Sequence, residues 1–371
     1  MTILLNNKRC IGCGASLQTK DKEEPGYLPL SSVVNAMEKG ENQMYCQRCF
    51  RLRHYNEISP VSLSNDDFRQ LLSEIAEKDA LIVYVMDVMD LYGSSLQGLH
   101  RYVGNNPVLA VVNKVDLLPK QTNQKRLKQT IQKALTDQGI HPEEIVLISA
   151  KKDKGLDDLS ETIEYFRKGR WVYVVGVTNV GKSTLINHLI ASVGGDKHQI
   201  TTSYYPGTTL GRIEIPLTDG ASLVDTPGIV QGHQLAHLLS AKDLKSIMPK
   251  KTLKPVTYQL KGRQTLFIGG FARVDFDLNQ KSSVTTYLPN QLYVHRTKTD
   301  GADLFYQEHF AGLLTPPSSG EALELKAQEI ALDQKTDIVF SGLGWICVNE
   351  PCLVRLWTAK GHDVVTRPAL I

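Results

Sequence analysis

Eight residues, Gly176-Val177-Thr178-Asn179-Val180-Gly181-Lys182-Ser183, stand between two runs of different periodicity. The run before them, Trp171-Val172-Tyr173-Val174-Val175, reads as a buried strand, and the run after them, Ser183 onward to Ile190, has apolar positions at helical spacing. Strand, glycine loop and helix in that order leave few folds open. The glycines let backbone N–H groups turn inward around an anion, and the helix N-terminus adds its positive dipole end. This is the phosphate-binding loop of an α/β domain. Lys182 is placed to reach the β and γ phosphates of a nucleotide and Ser183 to hold Mg²⁺. Asn179, Val180, Gly181 and Thr184 would line the same phosphates.

Upstream, a second apolar run at 108–112 delivers Asn113-Lys114-Val115-Asp116. Asp116 can accept two hydrogen bonds from the N1–H and exocyclic amine of guanine; adenine offers no such pair and would leave the carboxylate unpaired. The stem of Lys114 can lie across the base, and Asn113 can tie this loop to the phosphate loop. Ser149, Ala150 and Lys151 follow the run at 145–148 and resemble the loop whose backbone contacts the guanine O6. Further on, Asp225-Thr226-Pro227-Gly228 ends a short strand: Asp225 suits Mg²⁺ held through water, and Gly228 can offer its N–H to the γ-phosphate. Between the phosphate loop and Asp225 lies a polar stretch at 199–211 containing Thr208 and Thr209, which reads as a switch loop. Thr209 is preferred as the Mg²⁺ ligand, though Thr208 is not separated from it, and either alone also reads as an ordinary loop residue.

GTPases ordinarily carry the phosphate loop before the guanine tetrad. Here the order is reversed, so the nucleotide domain is circularly permuted. Strands read at 81–87, 108–112, 145–148, 171–175, 212–215 and 222–225, the complement that a GTPase fold needs, and helical patterns, notably at 125–138 and 156–168, separate most of them. The ordinary last helix joins the ordinary first strand near 166–170. The new break falls after Gly228, so the segment that rearranges with the γ-phosphate in ordinary GTPases becomes the tether to everything downstream. The expectation is that residues 231–371 respond to whether GTP or GDP is bound.

For hydrolysis, Lys182, Thr209, Gly228 and Asn179 are the candidate catalytic residues. Ile229 stands where small GTPases often place a water-orienting glutamine, and it has no polar atom for that task. Asn179 offers a carbonyl oxygen that suits K⁺ as a substitute positive charge; the alternative reading is a tolerated turn residue. Turnover is expected to be slow.

The amino-terminal segment is of another kind. Cys10, Cys13, Cys46 and Cys49 form two C-x-x-C knuckles, enough for tetrahedral zinc in a treble-clef-like or ribbon-like finger. Thirty-two residues lie between Cys13 and Cys46, longer than in a compact ribbon, and an insertion at 21–42 can absorb the difference. Disulfides are the competing reading. Six cysteines in 371 residues, with no leader or hydrophobic span, favour zinc and a cytoplasmic chain. Cys347 and Cys352 lack knuckle spacing and read as packed thiols. Cations and aromatics interleave at 47–55, which suits RNA, and a second basic stretch runs through Lys242, Lys245, Lys250, Lys251, Lys254, Lys261 and Arg263. With a net charge of only +3, nucleic-acid binding would rest on such local patches; each also reads as a solvated face. The domains implied are 1–58 (zinc finger), 59–230 (permuted GTPase) and 231–371 (mainly β, α+β). From residue 256 onward the alternation suggests antiparallel strands, and Gly269-Gly270 reads as a turn.

The knuckles, N-K-V-D, S-A-K, G-V-T-N-V-G-K-S, P-G-T-T, D-T-P-G and the later G-G-F-A-R-V-D, in that order, resemble the YqeH family of circularly permuted GTPases over essentially the whole chain. Phe271 stands where leucine is more usual. The resemblance implies a bacterial cytoplasmic GTPase, dependent on K⁺, that assists assembly of the small (30S) ribosomal subunit. The finger and the C-terminal domain would face rRNA. No membrane or DNA partner is expected, and the chain is taken to be a monomer. Three other classes stay open: a metabolic P-loop kinase, which leaves Asp116 unexplained; a zinc-dependent RNA scaffold with a vestigial nucleotide site; and a GTPase switch acting on a non-ribosomal protein.

Overall fold

The computed structural model describes residues 5, 8–11, 15–22, 24, 26–40, 43–47, 49–50, 62–63, 73–96, 98–193, 205–206, 213–226, 228–229 and 239–371. The chain divides into two compact units. The first comprises Met1–Val88, Ser94–Val115 and Ile131–Val230, the second Met89–Gly93, Asp116–Thr130 and Gln231–Ile371.

The first unit is built on a seven-stranded sheet. Its strands are β2 (Ala80–Asp87), β3 (Val108–Asn113), β4 (Glu144–Leu147), β5 (Trp171–Val175), β6 (Tyr205–Pro206), β7 (Ile213–Pro216) and β8 (Ser222–Asp225), in the order β4-β3-β2-β5-β8-β7-β6. From β4 across to β8 the pairing is parallel; β7 and β6 are added antiparallel. Strands covered on both faces need apolar side chains at every position, which is why the interior strands read as unbroken apolar runs. Every residue of β3 is buried, as is all of β2 but Asp87. The six strands expected from the sequence are all present, and the two-residue β6 is an addition.

Parallel pairing brings Asp87, Asn113, Val175 and Asp225 to one edge of the sheet, the carboxyl edge where α/β folds bind ligands. The permuted join is short: the helix Leu156–Arg167 runs into β5 after three residues. Arg167 is buried there and donates from Nη1 to Asp219 Oδ2 at 2.6 Å and from Nε to Glu164 Oε2 at 2.6 Å. The hydrogen bond from Arg167 holds the Asp219 carboxyl below the usual carboxylate range. A separate parallel pair joins β1 (Ser62–Leu63) to β9 (Gly228–Ile229).

The second unit carries an eight-stranded antiparallel sheet. The hairpin of β10 (Val256–Ile268) and β11 (Ala272–Tyr287) is its spine, flanked by β12 (Val294–Lys298) on one side. β11 also pairs with β15 (Gly344–Val348) and β16 (Cys352–Ala359); β14 (Thr336–Phe340), β17 (Val364–Pro368) and β13 (Leu325–Leu332) complete the sheet. Its core gathers Leu266, Phe271, Phe276, Phe340 and Val354. The G-G-F-A-R-V-D segment is structural. A side chain at Gly270 would meet the Phe310 ring at 2.8 Å, and Asp275 accepts from Thr265 Oγ1 at 2.6 Å, Arg273 Nη2 at 3.0 Å and Trp357 Nε1 at 2.7 Å. Cys347 and Cys352 are packed thiols, as expected, with burial pushing them up to about 12 and about 11. Among the described residues no helix is long and apolar enough to cross a membrane.

Candidate GTP-binding site

The phosphate loop leaves β5 and enters the helix Lys182–Val193. A Cβ at Gly176 would lie 2.6 Å from Val85 O, so only glycine lets the loop pass this close to β2. Asn179 and Gly181 both have positive φ, 65° and 90°. At Gly181 a Cβ would lie 2.3 Å from Asn113 Nδ2. That space is needed because Asn113 is the tie between three loops. It is 2% exposed, its Nδ2 donates to Val180 O at 2.8 Å, and its Oδ1 accepts from Lys114 N at 2.8 Å and Ala150 N at 3.0 Å. The Asn113-Lys114 turn, the Ser149-Ala150-Lys151 loop and the phosphate loop are thereby held together by one buried amide.

Lys114 adds a second tie. Its backbone is left-handed, φ 67°, and its Nζ donates to Asp87 Oδ2 and to Asn179 O, both at 2.5 Å. Asp87 is a residue that reading the sequence missed. The available signal was an acid closing an otherwise apolar strand, a place where a charge is kept only with a partner.

On the phosphate side, Lys182 is buried with its Nζ 3.5 Å from Asp225 Oδ1, and it donates to Thr226 O. Thr226, also not anticipated, is held by its own Oγ1 donating to Val174 O at 2.7 Å. Gly228 packs against the phosphate loop, where a Cβ would approach Thr178 N to 3.1 Å. Ser183 opens the helix half-buried, while Thr184 and Lys151 are exposed. Ser149 is buried and donates its N–H to Lys154 O at 3.0 Å. Asp116, half-buried, is in the second unit. Thr208, Thr209 and Pro227 lie outside the described residues.

The cradle fits a nucleotide phosphate and Mg²⁺. A buried cation, a buried carboxylate and a loop admitting no Cβ at two positions make a place for oxyanions and a divalent ion. At the amino terminus the sulfurs of Cys10, Cys46 and Cys49 lie within 4.8 Å of one another, all buried, and Cys46 N donates to Cys10 Sγ at 3.1 Å. Three clustered, buried cysteine sulfurs are a donor set that suits zinc; Cys13 lies outside the described residues.

Residues 281–370 match the family described as YqeH-like, C-terminal, and residues 171–248 match the one described as 50S ribosome-binding GTPase. The second match opens on β5 and leaves the guanine tetrad outside, on its amino-terminal side, as permutation requires. The chain is 48% identical to the protein YqeH of Bacillus subtilis over 367 residues, 98% of this chain and 99% of that one. This chain belongs to the YqeH family of GTPases. It is also 32% identical to NO-associated protein 1, chloroplastic/mitochondrial, of Arabidopsis thaliana, over 92% of this chain and 69% of that one. To the small ribosomal subunit biogenesis GTPase RsgA of Haemophilus influenzae it is 33% identical, over 54% of this chain and 51% of that one. GTP hydrolysis is thus the activity of the fold, and GTP, GDP and Mg²⁺ are the ligands its site takes.

Replacing Asp87 by Asn keeps the size of the side chain and removes the charge that holds Lys114. The expected result is GDP affinity lower by on the order of ten-fold, the loss of one charge-assisted hydrogen bond. Calorimetric titration with GDP checks it, and unchanged affinity would reduce Asp87 to a strand-end residue.

Proposed function

We propose that this chain is a cytoplasmic GTP-driven switch that assists assembly of the small ribosomal subunit. The reading is carried by a guanine and phosphate apparatus locked around Asn113, in a chain whose relative RsgA bears that function in its name. Lys182 and Gly228 would stabilise charge developing on the γ-phosphate, with Asn113, Lys114, Asp116 and the Ser149-Ala150-Lys151 loop fixing the guanosine. Ser183, Thr209 and Asp225 would hold Mg²⁺, which would supply positive charge against the phosphates. In place of a water-orienting glutamine the chain has Ile229, so a K⁺ held at Asn179 is our source of the missing positive charge.

The partner surface is proposed to be rRNA. Lys242, Lys245, Lys250, Lys251, Lys254, Lys261 and Arg263 are all exposed. Asp243, the one acid among them, is buried and accepts from Ser318 N at 3.2 Å, and Arg263 is ion-paired with Asp300 at 3.0 Å, so the lysines carry most of the charge of this stretch. Such a strip suits phosphate contacts. Of the cation-aromatic run at 47–55, residues 48 and 51–55 lie outside the described residues. Nucleotide state would be relayed through the segment after Gly228 to residues 231–371.

Co-sedimentation with purified 30S and 50S subunits, in K⁺ buffer, with GDP or a non-hydrolysable GTP analogue, tests the whole reading. The expected outcome is binding to 30S that differs between nucleotide states, together with a change in hydrogen exchange over residues 230–260. Preference for 50S would move the function to the large subunit, and equal binding in both states would remove the gate. Hydrolysis in K⁺ is expected to exceed that in Na⁺ several-fold, since the ion stands in for a catalytic charge; equal rates would discard the potassium role. For the finger, metal analysis should return one zinc per chain, lost on Cys46→Ser, while four titratable thiols in the folded protein would dismiss it.

A further inference from the structure

Asp116 is the side chain that reads guanine, yet within its compact unit its backbone is held by chain far along the sequence. Thr252 Oγ1 donates to Asp116 O at 2.8 Å, and the N–H of Leu253 donates to Leu117 O at 2.8 Å. Leu253, Leu117 and Leu118 are all buried. The 252–254 segment is itself clamped. Asn290 Nδ2 donates to Thr252 O at 3.0 Å, and Asn290 Oδ1 accepts from Lys254 N at 2.8 Å. One residue on, Gln291 Nε2 donates to Met248 O at 2.8 Å. A single amide thus grips the strap at two backbone atoms, and the strap grips the turn that carries Asp116.

We infer that Thr252 and Asn290 are positioning residues for guanine recognition. The inference rests on the reading of Asp116 as the base-reading carboxylate. For one carboxylate to accept hydrogen bonds from both the N1–H and the exocyclic amine, its plane must be fixed, and a short turn with an unanchored backbone would not fix it. Asp116 sits in a three-residue 3₁₀ turn, Val115–Leu117. The turn begins with Val115 N–H donating to Ile148 O at 3.1 Å, and its carbonyls at 116 and 117 are held by residues 252 and 253, and through them by Asn290.

Inosine diphosphate separates this role from a merely structural one. It keeps the N1–H and lacks the exocyclic amine, so the preference for GDP over IDP reports the second hydrogen bond alone. Both nucleotides are titrated into the full-length wild-type chain and into Thr252→Val, Thr252→Ser, Asn290→Ala and Asp116→Ala. Thr252 and Asn290 are exposed, so these substitutions leave the core intact. Thr252→Val is expected to lower the GDP-over-IDP preference about three-fold, the equivalent of one exposed hydrogen bond, and Asn290→Ala about five-fold. Thr252→Ser retains the hydroxyl and should keep the wild-type preference. If Asp116→Ala abolishes the preference while Thr252→Val and Asn290→Ala leave it unchanged, the positioning role is overturned and the base site stands. If Asp116→Ala itself leaves the preference unchanged, the base-site reading falls, and this inference with it.

Discussion

The side chain of Asn113 is the interaction on which the nucleotide site depends. A primary amide offers two donors and an acceptor with two lone pairs, and here one donor and both lone pairs are committed to the backbones of three loops. Buried at 2% exposure, those bonds are shielded from competing water, and removing them would leave Ala150 N and Val180 O without their partner in a low-dielectric site. Lys114 extends the tie by linking the phosphate loop to Asp87 on β2. The loops converge because parallel strands end together; Asn113 makes that convergence a fixed geometry.

This explains why permutation does not disturb the site. None of these bonds depends on which loop comes first in the chain. Sheet order places β3 and β5 on either side of β2, whatever the connectivity, and the apolar runs that fill the sheet are indifferent to the location of the termini. What permutation requires is one new connection, from the helix Leu156–Arg167 to β5, and three residues suffice. A connection that short adds little loop entropy, and the ion pairs of buried Arg167 with Glu164 and Asp219 anchor its start.

Much of the fold was legible because its signals were local. Interior parallel strands show as apolar runs, and the phosphate loop and guanine tetrad are contiguous strings whose chemistry fixes their backbone. Elements at the margin of the second sheet were not read. Leu325–Leu332 pairs with β16 along one side and is exposed at most positions, so it lacks the apolar alternation that marks a half-buried strand. Val364–Pro368 is short and partly exposed, and the helix Ala302–His309 buries only Ala302 and Tyr306, too few to show a stripe. Within the site the omissions are of another sort. Asp87 is defined by Lys114, 27 positions away, and Thr226 by Lys182, 44 positions away. No string contains either pair, so only the fold reveals them.

The same distinction bears on what counts as a domain here. By motif, the guanine tetrad is one object, Asn113 to Asp116. By compactness it is divided after Val115, because the turn that follows shares its backbone bonds with residues 252 and 253. Sequence motifs record which side chains touch the ligand; compact units record which backbones stabilise one another, and the two need not share a boundary. Within the second unit, the turn that carries Asp116 takes its backbone bonds from chain beyond 250. Residues 59–230 alone therefore lack part of the chain that holds the Asp116 backbone.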